Sequence, residues 1–167
     1  TATASLLAKT NRIEIGSIRL VHHWNAARLA QAVATLDHIE PNRLRFIVSI
    51  GGQPADRRFG FPTKSPSERI QWLDETLTVA RKLWNGELVD FQGRFVQLSG
   101  AKVRPAPGNI SIQIAARSRR LLELVARHGD RWDINLPPLS GRVQIAEQHL
   151  AAACKPLGRN PSSIKRS

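Results

Sequence analysis

The residues best suited by type and spacing to do chemistry lie at one junction. Ile110, Ile112 and Ile114 alternate as a buried strand does, Ala115, Ala116, Arg117 and Ser118 follow, and a leucine-rich helical pattern takes over. A helix starting here would aim its first unpaired amides, around Arg117 to Leu121, at whatever sits beyond the strand. The helix dipole adds positive potential at the same spot. Ala115 and Ala116 keep the approach uncluttered, the Ser118 hydroxyl can donate, and Arg117 brings charge. That chemistry is anion binding, phosphate above all. A capped helix with solvated arginines is the other arrangement these residues allow.

Two further stretches carry reactive types. "GSIRLVHHWN" would bring Ser17, His22, His23, Trp24 and Asn25 to one rim. Adjacent histidines are expected to point in different directions, so no metal site is expected, and His22 and His23 stand as rim candidates for catalysis. "SIGGQPADRRFG" holds Gly51 and Gly52, which suit either close approach of a ligand to the backbone or a tight strand-to-loop turn.

The elements that would position these residues alternate in type. A strand is expected from Arg12 to Val21, then a helix capped by Asn25 with the stripe Ala26, Leu29, Ala30, Val33 and Leu36. A second strand runs from Arg43 to Ile50, and Gln53 to Lys64 reads as irregular. Ser65-Pro66-Ser67-Glu68 combines a cap, a proline at the first helical position and a capping-box glutamate. Its helix carries Ile70, Leu73, Leu77, Ala80 and Trp84 and stops at Gly86. Residues 87–108 form an irregular insertion with a short hairpin at "VDFQGRFVQL". A third strand from Ile110 to Ala115, a helix from Arg119 to His128, a fourth strand from Trp132 to Leu136 and a helix from Gly141 to Leu157 complete the chain. Strict alternation implies parallel strands with helical crossovers, an α/β fold in one domain. Ligands of such folds sit at the C-terminal ends of the strands. The pattern leaves a barrel and a doubly wound sheet both open.

Composition narrows the class. The 167 residues are 41% hydrophobic and 23% charged, the make-up of a folded domain. No run of about 18 apolar residues occurs, and no secretory signal is visible, so a cytoplasmic protein without a membrane partner is expected. The single Cys154 falls in an apolar helical pattern and is expected in the core. A net charge of +12 raises nucleic acid as a partner. The basic residues are scattered, however, and with no Tyr, five Phe and four Trp a base-stacking platform is hard to build, so none is expected.

Taken together, the segments resemble the luciferase-like monooxygenase family of flavin- and deazaflavin-dependent oxidoreductases. "TNRIEIGS" resembles the family's step from helix to strand, and "LAQAVATLDHIEPNRLRFIVSIGG" its following helix, turn and strand. "SERIQWLDETLTVARKLWNGELVDFQGRFVQLSGAKVRPAP" is the most specific piece, and "ARHGDRW" and "LGRNPSSI" follow in family order. The resemblance implies a TIM (β/α)8 barrel, here incomplete at about four β/α units. It implies FMN or coenzyme F420 as cofactor, with NAD(P)H as a possible reductant, and a small organic molecule as substrate. Carried over by position, it assigns the cofactor phosphate to Ala115, Ala116, Arg117 and Ser118, and the flavin ring to Gly51 and to a non-proline cis peptide at Ser17-Ile18-Arg19. The departures are Arg117 and Ser118 where the family has glycines, and "HWNAA" where it has Arg-x-Pro. The family also has about two further strand–helix units on either side, and the upstream ones normally supply the histidine that acts on substrate. A longer product or completion by a second copy, hence a homo-oligomer, is therefore expected. A non-catalytic relative that binds flavin or serves as a scaffold is the alternative.

Overall fold

The computed structural model describes residues 2–51, 54–61, 64–137 and 141–167, with the side chains of residues 54 and 55 excepted. Helix α1 (Ala2–Lys9) leads into β1 (Ile15–Leu20), a 3-10 turn (Val21–His23) and α2 (Ala26–Ile39). Then come β2 (Leu44–Ser49), the short α3 (Pro54–Arg58) and α4 (Pro66–Trp84). The ribbon β3 (Val89–Gln92) and β4 (Gln97–Ala101) precedes β5 (Ser111–Ala115), α5 (Arg119–His128), β6 (Arg131–Asp133), α6 (Arg142–Cys154) and β7 (Lys165–Arg166).

β1, β2, β5, β6 and β7 pair in that order, every neighbour parallel. A doubly wound sheet reverses direction at a switch point, whereas a barrel wall adds each strand to the same side. The order here never reverses, so the sheet is an arc of barrel wall.

Local chemistry explains the helix starts. The Asn25 side chain accepts from the Ala27 and Arg28 amides at 3.0 and 3.1 Å. Ser65 and Glu68 close a reciprocal capping box with Pro66 in the first turn. The alternation of β2 sorts its faces: Leu44, Phe46 and Val48 are buried while Arg45, Ile47 and Ser49 are half-buried. Phe46 meets Trp84 edge-on at 5.6 Å, and the Trp84 indole donates to the Ala30 carbonyl at 3.0 Å, joining β2, α2 and α4 in one core. The opposite, concave face carries Ile18, 61% exposed, and near the strand starts the pairs Glu14–Arg45 and Glu14–Arg131, the latter at 3.3 Å.

The expected insertion is the β3–β4 hairpin, antiparallel and tied to α4. Glu75 accepts the Phe95 and Val96 amides at 2.8 and 3.0 Å. A side chain at Gly93 would press on that carboxylate and on the Phe91 ring, which would have to shift to admit it.

The structure revises four expectations. The stretch after β2 contains α3. The fourth strand is only Arg131–Asp133, because Asn135 with φ 42° turns the chain out of extended conformation. Lys165–Arg166 adds a fifth parallel strand, held where Lys165 N–H donates to Asp130 and Ser167 N–H to Trp132. The cis peptide among the described residues is Arg104–Pro105, and the bonds around Ser17, Ile18 and Arg19 are not cis. There Ile18 and Arg19 pair in regular register with Ile47 and Val48, a ladder of trans peptides. Cys154 is buried as expected.

Candidate functional site

The C-terminal ends of β2, β5 and β6 border a half-open cavity of about 320 Å³. Ser49 and Gly51 line it from β2, Ala115, Ala116, Arg117 and Ser118 from the β5–α5 junction, and Asn135 from the loop after β6. Five residues nominated from the sequence thus meet around one space, although Gly51 lies more than sixty positions from the others.

The junction is held from both sides. The Ala116 amide donates to the Asp133 carbonyl at 3.1 Å, and its own carbonyl accepts the Trp132 indole at 2.9 Å. Ser118 is the N-cap of α5, its hydroxyl oxygen accepting the Leu121 amide at 3.4 Å. The set of free amides therefore differs from the sequence expectation, since Ala116 and Leu121 are engaged. Among the described residues, the amides of Arg117, Ser118, Arg119 and Arg120 donate to no protein acceptor. Arg117 is exposed and without an ion pair among the described residues. Free amides, a helix start, an unpaired guanidinium and a hydroxyl around a cavity are a donor set fit for a phosphate.

Gly51 has φ 62°, and a Cβ there would lie 2.2 Å from Cε1 of His22. Its missing side chain therefore admits the His22 ring, besides forming the turn and lining the cavity. Its carbonyl accepts from Arg69. Gly52 lies outside the described residues. Ser17 and Ile18 sit within β1 and do not line the cavity. Ser17 accepts from Thr3 of α1 at 3.3 Å and from Arg19, and Ile18 faces the concave side.

The histidines correct an expectation. Instead of pointing apart, both Nε2 atoms reach Asp56, His22 to one carboxylate oxygen at 3.1 Å and His23 to the other at 3.2 Å. The 3-10 turn crowds their rings to 4.3 Å between centroids at 70°, and Phe61 stacks on His23 at 3.9 Å. Burial above all, and then the His23 ring, hold His22 below the ordinary imidazole range despite the pull of Asp56. Three contributors escaped the sequence reading: Ser49, Asn135 and Asp56. Asn135 had a signal, since asparagine tolerates positive φ at a strand end. Asp56 had none, because nothing local ties it to residues more than thirty positions earlier.

Comparison with known proteins now decides the family. The luciferase-like monooxygenase model matches residues 1–167. The chain belongs to the luciferase-like monooxygenase family. It is 34% identical over 127 residues to the F420-dependent glucose-6-phosphate dehydrogenase of Mycobacterium leprae, covering 73% of this chain and 38% of that protein. It is 27% identical over 156 residues to the 5,10-methylenetetrahydromethanopterin reductase of Archaeoglobus fulgidus, covering 93% and 46%. Among solved structures, riboflavin lyase with modified FMN and riboflavin superposes with a TM-score of 0.86 at 19% identity, over 98% of this chain and 42% of that one. The arc of five strands is thus a part of the luciferase-like (β/α)8 barrel. The chain spans less than half the length of these relatives.

Proposed function

We propose that this chain forms the coenzyme-phosphate corner of an oxidoreductase that uses F420 or FMN to act on a small organic substrate. One observation carries the reading: Gly51, Ala115, Ala116, Arg117 and Ser118 line one cavity at the start of α5, where the Arg117 and Ser118 amides have no protein acceptor among the described residues. The amides of Arg117 to Arg120 and the Ser118 hydroxyl would hold the phosphate, and Arg117 would balance its charge. The Trp132–Ala116–Asp133 bonds fix the loop so that binding orders little backbone. The coenzyme, when bound, supplies hydride transfer to or from the substrate.

Between the two coenzymes, we favour F420. A second hollow of about 490 Å³ adjoins the first, shares Arg117 and Asn135 with it, and adds Arg119, Arg142 and His149, with no acidic residue among the described residues that line it. F420 continues past its phosphate into carboxylate groups that such a hollow would attract, whereas FMN ends at the phosphate. The relative from Mycobacterium leprae named above is also F420-dependent. Fluorescence titration of the purified protein with F420 and with FMN tests both points. Saturable binding is expected for F420, at least tenfold tighter than for FMN. Failure of both to bind overturns the coenzyme corner, and equal affinity overturns the preference.

A further inference from the structure

We propose that His22, His23 and Asp56 form a site for a divalent cation of the zinc class at the rim of the barrel wall. One ligand atom from each residue lies within 4.8 Å of the other two. A zinc-class ion binds imidazole nitrogen and carboxylate oxygen at about 2.0–2.2 Å, which places neighbouring ligand atoms about 3.3–3.6 Å apart in four-coordinate geometry. The two imidazole-to-carboxylate separations, 3.1 and 3.2 Å, one to each oxygen of Asp56, lie a few tenths of an ångström short of that interval, so small side-chain shifts would seat the ion. The ligand types are also right: two imidazoles and one carboxylate are a known three-ligand set for zinc with a fourth position open.

The rings are pre-positioned. His22 is wedged by the absent side chain of Gly51 and flanked edge-on by Phe61 and Trp72, with centroids at 6.2 and 6.5 Å. Phe61 lies flat on His23, so an apolar collar surrounds the polar triad and limits alternative rotamers. Access falls off inward. His23 keeps 25% and Asp56 14% of its side-chain surface in solvent, while His22 keeps 3%. The free coordination position thus opens outward on the side of His23 and Asp56. Since Gly51 touches His22 and also lines the coenzyme cavity, an ion here would stand beside the proposed phosphate corner, but its binding requires no coenzyme.

The test uses the purified protein after chelation and dialysis. Calorimetric titration with Zn²⁺ is expected to show one saturable site, and Co²⁺ to give the intense visible bands of four-coordinate cobalt. Asp56→Asn, which keeps size and removes charge, and His23→Ala, at a partly exposed ring, should each weaken Zn²⁺ binding at least tenfold and abolish the cobalt bands. Far-ultraviolet circular dichroism confirms that both variants are folded, and should His23→Ala unfold, His23→Gln replaces it. No saturable Zn²⁺ binding, or binding and bands unchanged in either folded variant, overturns the site.

Discussion

Ser118→Asp separates the two roles of the residue that caps α5 and faces the cavity. Aspartate accepts the Leu121 amide as well as serine does, so the helix keeps its cap and the melting temperature should stay level. What changes is the charge beside the anion. Two unit charges about 5 Å apart interact by about 0.8 kcal/mol at the dielectric of water and about 3.3 kcal/mol at an effective value near 20. With about 1.4 kcal/mol per decade of affinity, a repulsion in the upper part of this range weakens coenzyme binding at least tenfold. The corner is partly open, so added salt should shrink the penalty, whereas a lost hydroxyl contact would not respond. Fluorescence titration of wild type, Ser118→Asp and the uncharged cap Ser118→Asn, each at low and high salt, reads the effect. Unchanged affinity in Ser118→Asp would show that no phosphate docks at this helix start. An equal, salt-insensitive loss in both variants would refute the electrostatic argument.

Two further perturbations follow from the packing. Asp74 on α4 joins the end of α5, accepting from His128 at 2.6 Å and from Arg127. Burial pushes its carboxyl up, but these bonds outweigh that and hold it below its ordinary value of 3.8. A lowered folded-state value adds stability that is complete above the unfolded value and disappears as pH falls through the folded one. Asp74→Asn should therefore cost about 1–2 kcal/mol in urea unfolding at pH 7, and its curve should converge on wild type below about pH 4, whereas a constant gap at all pH values would refute the clamp. Gly51→Ala places a Cβ 2.2 Å from the His22 ring at φ 62°. It should lose at least about 1–2 kcal/mol from backbone conformation alone, read by thermal melting, and weaken Zn²⁺ binding by displacing His22, while unaltered stability would refute the close contact.

The sequence made legible whatever is fixed by local periodicity and capping. Asn25, Ser65, Pro66 and Glu68 each act within four residues, and the structure has them where their types required. Strand order was not legible, because alternation gives the same string for a barrel wall and a doubly wound sheet. The family resemblance, and then the pairing order, supplied it. β7 escaped because its two charged residues carry no alternation; the neighbouring carbonyls of Asp130 and Trp132 hold it in the sheet. The α5 corner was legible since its residues are contiguous. The histidine–aspartate triad was not, since it depends on how far a 3-10 turn bends toward a helix thirty-odd positions later.

Helix starts in this chain also explain why one of them suits the proposed docking corner. At α2, the Asn25 side chain takes two amides, and at α4 proline supplies no amide while Ser65 takes the Glu68 amide. Those ends are largely satisfied from within. At α5 the cap takes only Leu121, while the junction before it brings two more amides, of Arg117 and Ser118, that have no protein acceptor among the described residues. Unpaired amides in water are ordinary, but here they line a cavity whose remaining wall, Ser49, Gly51 and Asn135, holds no carboxylate to compete for them. Filling the corner with an anion therefore gains hydrogen bonds without first breaking any within the protein, a condition that neither α2 nor α4 meets.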